Sequence, residues 1–318
     1  MAVCDKNLEG ITTLPDGTRC FPSYSELLTC DLDVLLVCLS NDLTAEATIA
    51  GLQRGLHVFS EKPPARSLEE FQAVLECESQ HQGQRLMYGF NHRYHDSVIE
   101  ALKIVRSKEL GDVINMRGVY GKAKLITFNQ PSWRVERAIS GGGVLLDQGI
   151  HMVDLMRLFA GDFVEVASHV SNSHWGYEVE DNAYALMRTA DGAVALLNSS
   201  ATQWRHQFSL DINLEGGSVI LRGILTGSKS YGAETLTVSR ADPDRDHGDP
   251  IETTATFNRD PSWEREIDAF VDAIRNGVAP EHGTSRDALE TLRLVFRIYY
   301  SDPEWRRRYS ISDPGWPQ

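Results

Sequence analysis

The first third of the chain alternates short apolar runs with amphipathic segments. The run 33–39 is continuously apolar and partly β-branched, which is typical of a strand buried on both faces of a parallel sheet. Ser67 and Glu70 form a capping box that begins a helix. The predicted order is strand, helix, strand, helix and strand, at 33–39, 44–54, 56–59, 67–80 and 85–90. This alternation predicts βαβ units and a parallel sheet.

The pattern changes after residue 91, where strand signals dominate. Extended segments are predicted at 112–124, 164–170, 183–188, 193–200, 208–214 and 218–222. Glu215-Gly216-Gly217 is a hairpin signal, and two helices, 263–276 and 286–300, close the chain. We predict a parallel-sheet domain over 1–91. An α+β domain with an open, largely antiparallel sheet follows over 92–318, and its last helices could pack back on the first domain.

Composition narrows the class of partner. The 318 residues include 45 acidic and 31 basic side chains, for a formal net charge of -14. This charge argues against a nucleic-acid or anionic-membrane partner, because phosphate groups would repel the chain. The five cysteines contain no C-x-x-C pair, which fits reduced thiols in a cytoplasmic protein. No apolar run approaches the ~20 residues that a membrane helix needs.

The segment 141–154 carries the first candidate chemistry. A glycine triplet leads into an apolar helix on which Asp147 and His151 stand four residues apart, on one helix face. His151 could relay a proton to or from a substrate hydroxyl, and Asp147 could orient the imidazole or bind a hydroxyl. The alternatives are a carboxylate favoured by the helix N-terminus with a core histidine, or a zinc site, for which the sequence offers no third ligand.

Glu61-Lys62-Pro63 is the second candidate and follows a predicted strand. Pro63 removes one backbone donor and restricts Lys62 to extended conformations. That would hold an ammonium at the C-terminal edge of the sheet, where ligands bind in open α/β folds. A partly desolvated lysine there can share a proton near neutral pH. A surface turn with a solvated lysine is the alternative.

Two weaker signals concern ligand recognition. Asp5 ends a short apolar segment. In a dinucleotide-binding fold, an acidic residue ends the second strand in the same way, and its carboxylate binds the ribose hydroxyls and repels a 2′-phosphate. That would favour NAD over NADP, although a plain turn explains the same residues. Trp133 and Arg134 pair a stacking surface with a cation, which suits a sugar face and a carboxylate or phosphate. A packed loop is the alternative, and His92 and His95 are interpreted as polar loop residues.

Taken together, these residues resemble the glucose–fructose oxidoreductase, inositol dehydrogenase and MocA (Gfo/Idh/MocA) family. The resemblance runs from Ala2 to Gly283. Its motifs stand in the family's order, at 61–63, 89–93, 141–154 and 262–266. It implies an N-terminal Rossmann domain and a C-terminal domain whose open sheet mediates homodimers or homotetramers. It also implies hydride transfer between a nicotinamide ring and a secondary alcohol or ketone of a sugar, an inositol or a nucleotide sugar.

The resemblance also implies residue roles. Lys62 would hold and polarise the reacting oxygen, His151 would move the proton, and Asp147 would bind a neighbouring hydroxyl. The residues expected to bind the cofactor, NAD rather than NADP, are Asp5, Ser40, Asn41, Glu61 and Lys62. The residues expected to bind the sugar-like substrate are Asn91, Arg93, Trp133 and Arg134. No metal ligand is expected.

Two departures from the family pattern bear on the cofactor. The family's Pro-Asn-x-x-His is Ser40-Asn41-Asp42-Leu43-Thr44 here, so its histidine is missing. The first strand and the Gly-x-Gly-x-x-Gly turn, which neutralises the pyrophosphate, have no counterpart, so we expect an N-terminally truncated Rossmann-type sheet that binds NAD poorly. A misassigned start or truncated sequence, a shortened relative without redox function, and a rearranged cofactor site would each explain this.

Three functions therefore stay open at the level of the sequence. The leading expectation is an NAD-dependent oxidoreductase of the kind described above. A non-catalytic oligomeric or ligand-binding relative is the second, because the glycine turn is missing. A redox-neutral NAD-dependent glycosidase, a chemistry that the family also hosts, is the third.

Overall fold

The structure is a computed structural model that describes residues 1–8, 10–124, 132–242, 244 and 250–315. Its strands are β1 (Ala2–Cys4), β2 (Arg19–Phe21), β3 (Val34–Val37), β4 (His57–Glu61), β5 (Leu86–Gly89), β6 (Val113–Gly121), β7 (Phe163–Ser171), β8 (Asn182–Thr189), β9 (Val194–Ser200), β10 (Gln207–Leu214), β11 (Gly217–Arg222), β12 (Glu234–Arg240) and β13 (Ile251–Phe257). Its helices are α1 (Tyr24–Leu27), α2 (Asn41–Gln53), α3 (Leu68–Gln80), α4 (Asp96–Ser107), α5 (Arg137–Ser140), α6 (Ile150–Ala160), α7 (Ser262–Asn276), α8 (Ser285–Ser301) and α9 (Pro303–Tyr309). None of the helices in these ranges has the length and apolar character to cross a bilayer.

A parallel three-stranded sheet is formed by β3, β4 and β5. Val37 lies beside Ser60, and Glu61 lies beside Gly89, at the carboxyl end of this sheet. Helices α2 and α3 connect the strands, which confirms the predicted βαβ alternation. Strands β1 and β2 form a separate parallel pair. Because parallel strands end at one edge, the residues that follow β3, β4 and β5 are brought together there.

The prediction that β3 is buried on both faces is wrong. Leu35 and Val37 are buried, but Val34 is 36% exposed and Leu36 is 54% exposed. Leu35 packs under α2 at Gly51, where a Cβ would lie only 2.8 Å from Leu35 Cδ2. The opposite face of β3 stays open within the described residues. A continuous apolar run does not itself reveal which face of a strand receives a helix.

The second large sheet has eight strands in the described residues, in the order β13-β12-β11-β10-β6-β9-β8-β7. All neighbours are antiparallel except β6 and β9, which run parallel. The predicted hairpin is confirmed, with Leu214 paired to Gly217. The sequence analysis misses β12 and β13. The exposed, threonine-rich β13 gives no apolar signal, because every residue but its last is exposed.

The helices α6 and α8 join the two sheets. Gly118 of β6 gives α6 room, because a Cβ there would lie 2.4 Å from Met156 Cε and 2.8 Å from Met152 Sδ. Helix α8 contacts α6 and β7 on one side and α3 and β5 on the other. This packing holds the end of the parallel sheet beside the segment that precedes α6.

The described chain ends in three helices, whereas the sequence analysis predicts two. Helix α9 follows α8 almost directly. The Asp302 carboxylate accepts hydrogen bonds from the N–H groups of Glu304 and Trp305, and Pro303 occupies the first turn. An Asp-Pro start is a recognised helix signal, but seven residues are too few for hydrophobic periodicity to reveal the helix.

Candidate active site

Lys62 follows β4 and reaches the segment that carries Asp147. The Lys62–Pro63 peptide bond is cis. Lys62 Nζ donates a hydrogen bond to the main-chain carbonyl of Asp147. Burial lowers the pKa of Lys62, two nearby cations lower it further, and two nearby carboxylates oppose the shift. An ammonium with a lowered pKa polarises an oxygen and releases a proton more readily than a solvated one.

Close packing explains the glycine triplet. A Cβ at Gly143 would lie 2.1 Å from the main-chain oxygen of Glu180, and one at Gly142 would lie 2.4 Å from Tyr299 Oη. The buried Glu180 carboxylate accepts the N–H groups of Gly143 and Leu145 at 2.7 and 2.9 Å. Tyr299 donates its hydroxyl proton to the same carboxylate at 2.6 Å. These bonds satisfy the first N–H groups of the helical segment and fix its position.

Asp147 lies in a π-helical turn, Leu145–Gly149, that leads into α6. The sequence analysis predicts one regular α-helix with Asp147 and His151 on the same face. The wider turn changes the phase of Asp147 relative to α6. Single π-turns inserted into α-helices are frequent at functional sites.

Two cations hold the Asp147 carboxylate. Lys122 Nζ lies 3.2 Å from Oδ2, and Arg134 Nε lies 3.3 Å from Oδ1. Burial alone would raise the pKa of Asp147, but Lys122, Lys62 and Arg134 outweigh it and hold the pKa well below its usual range. Asp147 is therefore ionised at physiological pH and can accept hydrogen bonds from hydroxyl groups.

His151 is a buried imidazole in α6. Its ring stacks on that of His92, with 3.8 Å between the centroids and 11° between the planes. Its Nδ1 has no hydrogen-bond partner among the described residues. Burial lowers the pKa of His151 well below its usual value, Lys62 adds to this, and Asp147 opposes it. The ring is therefore neutral at pH 7 and can accept a proton.

The interpretation of His92 and His95 as polar loop residues is wrong. Both are buried, His92 within the 3₁₀ turn Asn91–Tyr94 and His95 directly after it. His92 Nε2 lies 3.1 Å from Tyr120 Oη, and His95 Nδ1 lies 2.9 Å from Glu234 Oε2. The short polar sequence hides this burial, because a 3₁₀ turn has no apolar periodicity.

Lys122 is a second member of the site that the sequence analysis misses. It comes directly after β6, which ends at Gly121, and belongs to no recognised motif. Its main-chain N–H bonds to the Ser200 carbonyl at 2.9 Å, beside the end of β9. Its position near the end of the predicted extended segment 112–124 is the one signal available, and such a signal is common to most surface lysines.

Four of the five residues expected to bind the cofactor, all but Asp5, lie at the carboxyl end of the parallel sheet. Ser40 precedes α2, and Glu61 ends β4 directly before Lys62. Asn41 donates its amide proton to the Ser140 carbonyl at 2.7 Å, which ties α2 to the segment before the glycine triplet. The open edge suits the reactive end of a nicotinamide cofactor, since Lys62 and the buried Nδ1 of His151, which has no partner among the described residues, lie close by.

Asp5 follows β1, on the separate two-stranded pair. Its carboxylate accepts hydrogen bonds from the N–H and the side-chain amide of Asn7 at 2.8 and 2.9 Å. Both partners are exposed, so the carboxylate is accessible for a ribose hydroxyl. The expected contact with the cofactor stays a prediction.

Asn91 and Arg93, expected to bind substrate, are engaged by the protein. The guanidinium of Arg93 makes two 2.7 Å bonds to the Asp154 carboxylate and lies 3.2 Å from Asp287 Oδ2. Asn91 donates to Ser262 Oγ at 3.1 Å. A paired, buried guanidinium is costly to expose, so these contacts favour a structural role for Arg93 over the predicted substrate contact.

Trp133 and Arg134 lie in a 3₁₀ turn, Trp133–Val135. The Arg134 guanidinium carbon lies 4.4 Å from the centre of the Trp133 ring, and Arg134 also reaches Asp147. The structure thus brings Arg134 into the site together with Lys62 and His151. Among the described residues, no group of three or more His, Cys, Asp or Glu side chains is arranged to hold a metal ion.

Comparisons with known proteins match both halves of the chain. Residues 1–90 match the oxidoreductase family with an NAD-binding Rossmann fold, and residues 98–220 match the GFO/IDH/MocA C-terminal domain. D-xylose 1-dehydrogenase (NADP(+)) 2 of Haloferax volcanii is 28% identical over 291 residues, which cover 88% of this chain and 82% of that protein. The 1,5-anhydro-D-fructose reductase of Ensifer adhaerens is 29% identical over 210 residues, which cover 65% of this chain and 61% of that protein.

The fold is similar to that of levoglucosan dehydrogenase in complex with NADH and levoglucosan. The two structures align with a TM-score of 0.82 at 21% sequence identity, over 96% of this chain and 88% of the other. This likeness concerns the fold, and the two family models add the sequence relationship on both sides of residue 91. The chain therefore belongs to the Gfo/Idh/MocA family of oxidoreductases.

Proposed function

We propose that this protein transfers a hydride between a nicotinamide cofactor and a secondary alcohol or ketone of a sugar, an inositol or a nucleotide sugar. The observation that carries the proposal is the meeting of Lys62, Asp147 and His151 beside the carboxyl end of a parallel sheet. The names of two relatives, a xylose dehydrogenase and an anhydrofructose reductase, support a sugar substrate.

When bound, the nicotinamide ring supplies or accepts the hydride. During oxidation of an alcohol, Lys62 holds the reacting hydroxyl and neutral His151 accepts its proton. The ionised Asp147 binds a neighbouring hydroxyl and so orients the carbon that loses the hydride. During reduction of a ketone, Lys62 polarises the carbonyl oxygen. In this direction the neutral His151 ring must first gain a proton, and it then passes that proton readily to the developing alkoxide, because the pKa of the buried ring is low.

We propose NAD as the cofactor in preference to NADP. Asp5, which follows β1, supports this choice, because its carboxylate would bind ribose hydroxyls and repel a 2′-phosphate. One relative is named as an NADP enzyme, so the choice needs a direct test. Calorimetric titration with NADH and then NADPH gives the preference. Asp5→Ser should narrow the difference between the NADH and NADPH affinities. Stronger NADPH binding than NADH binding by the unaltered chain would refute the assignment.

We propose that the open face of the eight-stranded sheet joins copies of the chain into a homodimer or homotetramer. Leu186 and Leu196 are register partners on β8 and β9, and with Tyr184 and Val194 they are exposed. Such an apolar patch on a sheet is typical of an interface. Leu186→Glu should lower the mass measured by light scattering, whereas the exposed Val278→Glu outside the sheet should not.

We further propose two domains, 1–91 and 92–318, and a cytoplasmic location. The change from parallel to largely antiparallel pairing between β5 and β6 supports the boundary. The five cysteines are all unpaired, which supports a reducing compartment. Limited proteolysis and cell fractionation test these two statements.

The function is tested by following NADH absorbance while a panel of aldoses, inositols and nucleotide sugars is added with NAD. Turnover by the unaltered chain that disappears in Lys62→Ala supports the proposal. NADH binding without any turnover would instead indicate a non-catalytic relative. Cleavage of a glycoside without net NADH formation would indicate the redox-neutral glycosidase chemistry.

A further inference from the structure

Cations outnumber carboxylates around Asp147. Lys122 and Arg134 contact its two carboxylate oxygens at 3.2 and 3.3 Å. Lys62 instead donates its hydrogen bond to the main-chain oxygen of Asp147, so it makes no direct ion pair with that carboxylate. Within the described residues, Glu61 is the second carboxylate that acts on Lys62, and it lies on the β4 side of the site. Three positive groups therefore face two negative ones.

The residues that follow Lys122 in the sequence carry positive but no negative charge. The segment 123–135 contains Lys124 and Arg134 but no aspartate or glutamate. The charge of Lys122 also acts on His206, whose pKa is lowered by burial first and by this lysine and Arg205 next. The positive charge of Lys122 therefore acts beyond Asp147.

Both side chains keep donors for a ligand. A lysine ammonium has three N–H groups and an arginine guanidinium has five. Asp147 takes one donor from each of Lys122 and Arg134. The Arg134 side chain is 44% exposed, so part of its fork is open to solvent, while Lys122 is 13% exposed. Charge on a largely desolvated ammonium acts more strongly on a bound ion than charge in water does.

We propose that Lys122 and Arg134 recognise an oxyanion on the substrate, so that the preferred substrates are sugars bearing a carboxylate or a phosphate. An oxyanion next to Asp147 would accept the remaining N–H groups in charge-assisted hydrogen bonds and bring the site closer to neutrality. The identity of the reaction rests on the proposed function above, whereas the binding preference does not.

The competing explanation is that the two cations serve only to position Asp147. In that case removal of the Lys122 side chain would lower the affinity for charged and neutral sugars to the same extent, because both would depend on the same carboxylate. If the cations bind an oxyanion, the substitution lowers mainly the affinity for the charged sugar. The ratio of the two affinities therefore separates the explanations.

The experiment is a calorimetric titration of the NADH-saturated chain and of the chain alone with glucose, glucuronate and glucose 6-phosphate. We expect at least one charged sugar to bind roughly tenfold or more tightly than glucose, with the advantage shrinking as salt is added. Lys122→Met and Arg134→Gln should each reduce this ratio by roughly tenfold. The tighter of the two charged sugars identifies carboxylate or phosphate as the group recognised.

Lys103→Met is the matched control, because Lys103 is an exposed lysine paired with Glu100 on α4. It should leave the ratio unchanged. Equal binding of charged and neutral sugars, no binding of any of them, or equal losses in Lys122→Met would overturn the inference. Binding of a charged sugar that depends on Lys122, without turnover of any sugar, would refute the proposed function and leave this inference standing.

Discussion

The imidazole rings of His92 and His151 lie nearly parallel, 3.8 Å apart. His92 is itself fixed, since its Nδ1 lies 3.1 Å from Asn91 Oδ1 and its Nε2 lies 3.1 Å from Tyr120 Oη. An amide oxygen only accepts, so with this amide orientation Nδ1 carries the proton and Nε2 accepts from the tyrosine. Burial lowers the pKa of His92 well below its usual value, so its ring is neutral. His92 thus acts as a positioning residue for His151.

The stacking predicts graded effects of substitution at His92. His92→Phe keeps a ring against His151 and should lower kcat by about tenfold, a fraction of what proton transfer contributes. His92→Leu removes the ring and admits water, which raises the pKa of His151 towards its usual value. As the pH is lowered, this variant should therefore lose activity at a higher pH than the unaltered chain does, because His151 is protonated sooner. If kcat falls in both variants but the pH profile does not shift, His92 has only a structural role.

Lys62→Ala should reduce kcat by about 10²- to 10⁴-fold, because the group that holds and polarises the reacting oxygen is gone. The affinity for NADH should change far less than kcat, because Lys62 is one of five residues expected to contact the cofactor. Steady-state kinetics and a parallel NADH titration measure the two effects. Exposed Lys103→Ala is the control, and full activity of Lys62→Ala would remove Lys62 from the mechanism.

Gly143→Ala should destabilise the fold and distort the segment that carries Asp147. Its Cβ would lie 2.1 Å from the main-chain oxygen and 2.9 Å from the main-chain nitrogen of Glu180, and this backbone leaves little room to move. We expect a loss of about 1–3 kcal/mol or more in the free energy of unfolding, measured by urea denaturation. Gly83→Ala is the matched control, because nothing lies within 4 Å of its Cβ. An unchanged stability of Gly143→Ala would contradict the close packing of Gly143 against the Glu180 backbone.

Glu266 in α7 should make stability depend on pH. Burial raises its pKa to about 9, and Glu61 and Asp154 contribute in the same sense. The unfolded chain titrates this carboxyl near its usual value, so folding takes up a proton at neutral pH. The stability associated with the protonated group is present below a pH of about 4.5 and is lost as the pH rises towards about 9.

Glu266→Gln should therefore match the unaltered chain near pH 4.5 and be more stable at pH 8, by ~1–4 kcal/mol. Thermal denaturation at a series of pH values measures the difference. Glu264→Gln, on the exposed face of the same helix, should show no such trend. A Glu266→Gln variant that is less stable than the unaltered chain at pH 8 would contradict this account, because it would show that the buried carboxylate is ionised and stabilises the fold.

The catalytic candidates could be predicted because each has a local signal. Glu61-Lys62-Pro63 follows an apolar strand, and the glycine triplet precedes an apolar helix carrying Asp147 and His151. Lys122 and His92 could not be predicted in the same way. Lys122 enters the site through the pairing of β6 with β9 and β10, and such long-range register is not visible in a single sequence.

The fold shows the same division between local and long-range information. The βαβ alternation around β3, β4 and β5 was predictable from short apolar runs and a helix cap. The exposed face at Leu36 was not, because burial depends on which element packs against a strand. The π-helical turn at Asp147 was also hidden, since its residues continue the apolar pattern of the helix that follows.

Deuterium tracing tests the central claim most directly. The chain is incubated with NAD and a sugar that carries deuterium on the carbon of its reacting secondary alcohol, and the NADH formed is examined by mass spectrometry. Hydride transfer at this site predicts deuterium on the nicotinamide ring with the unaltered chain and none with Lys62→Ala. Unlabelled cofactor across a panel of neutral and charged sugars, from a chain shown to bind NADH, would contradict the account.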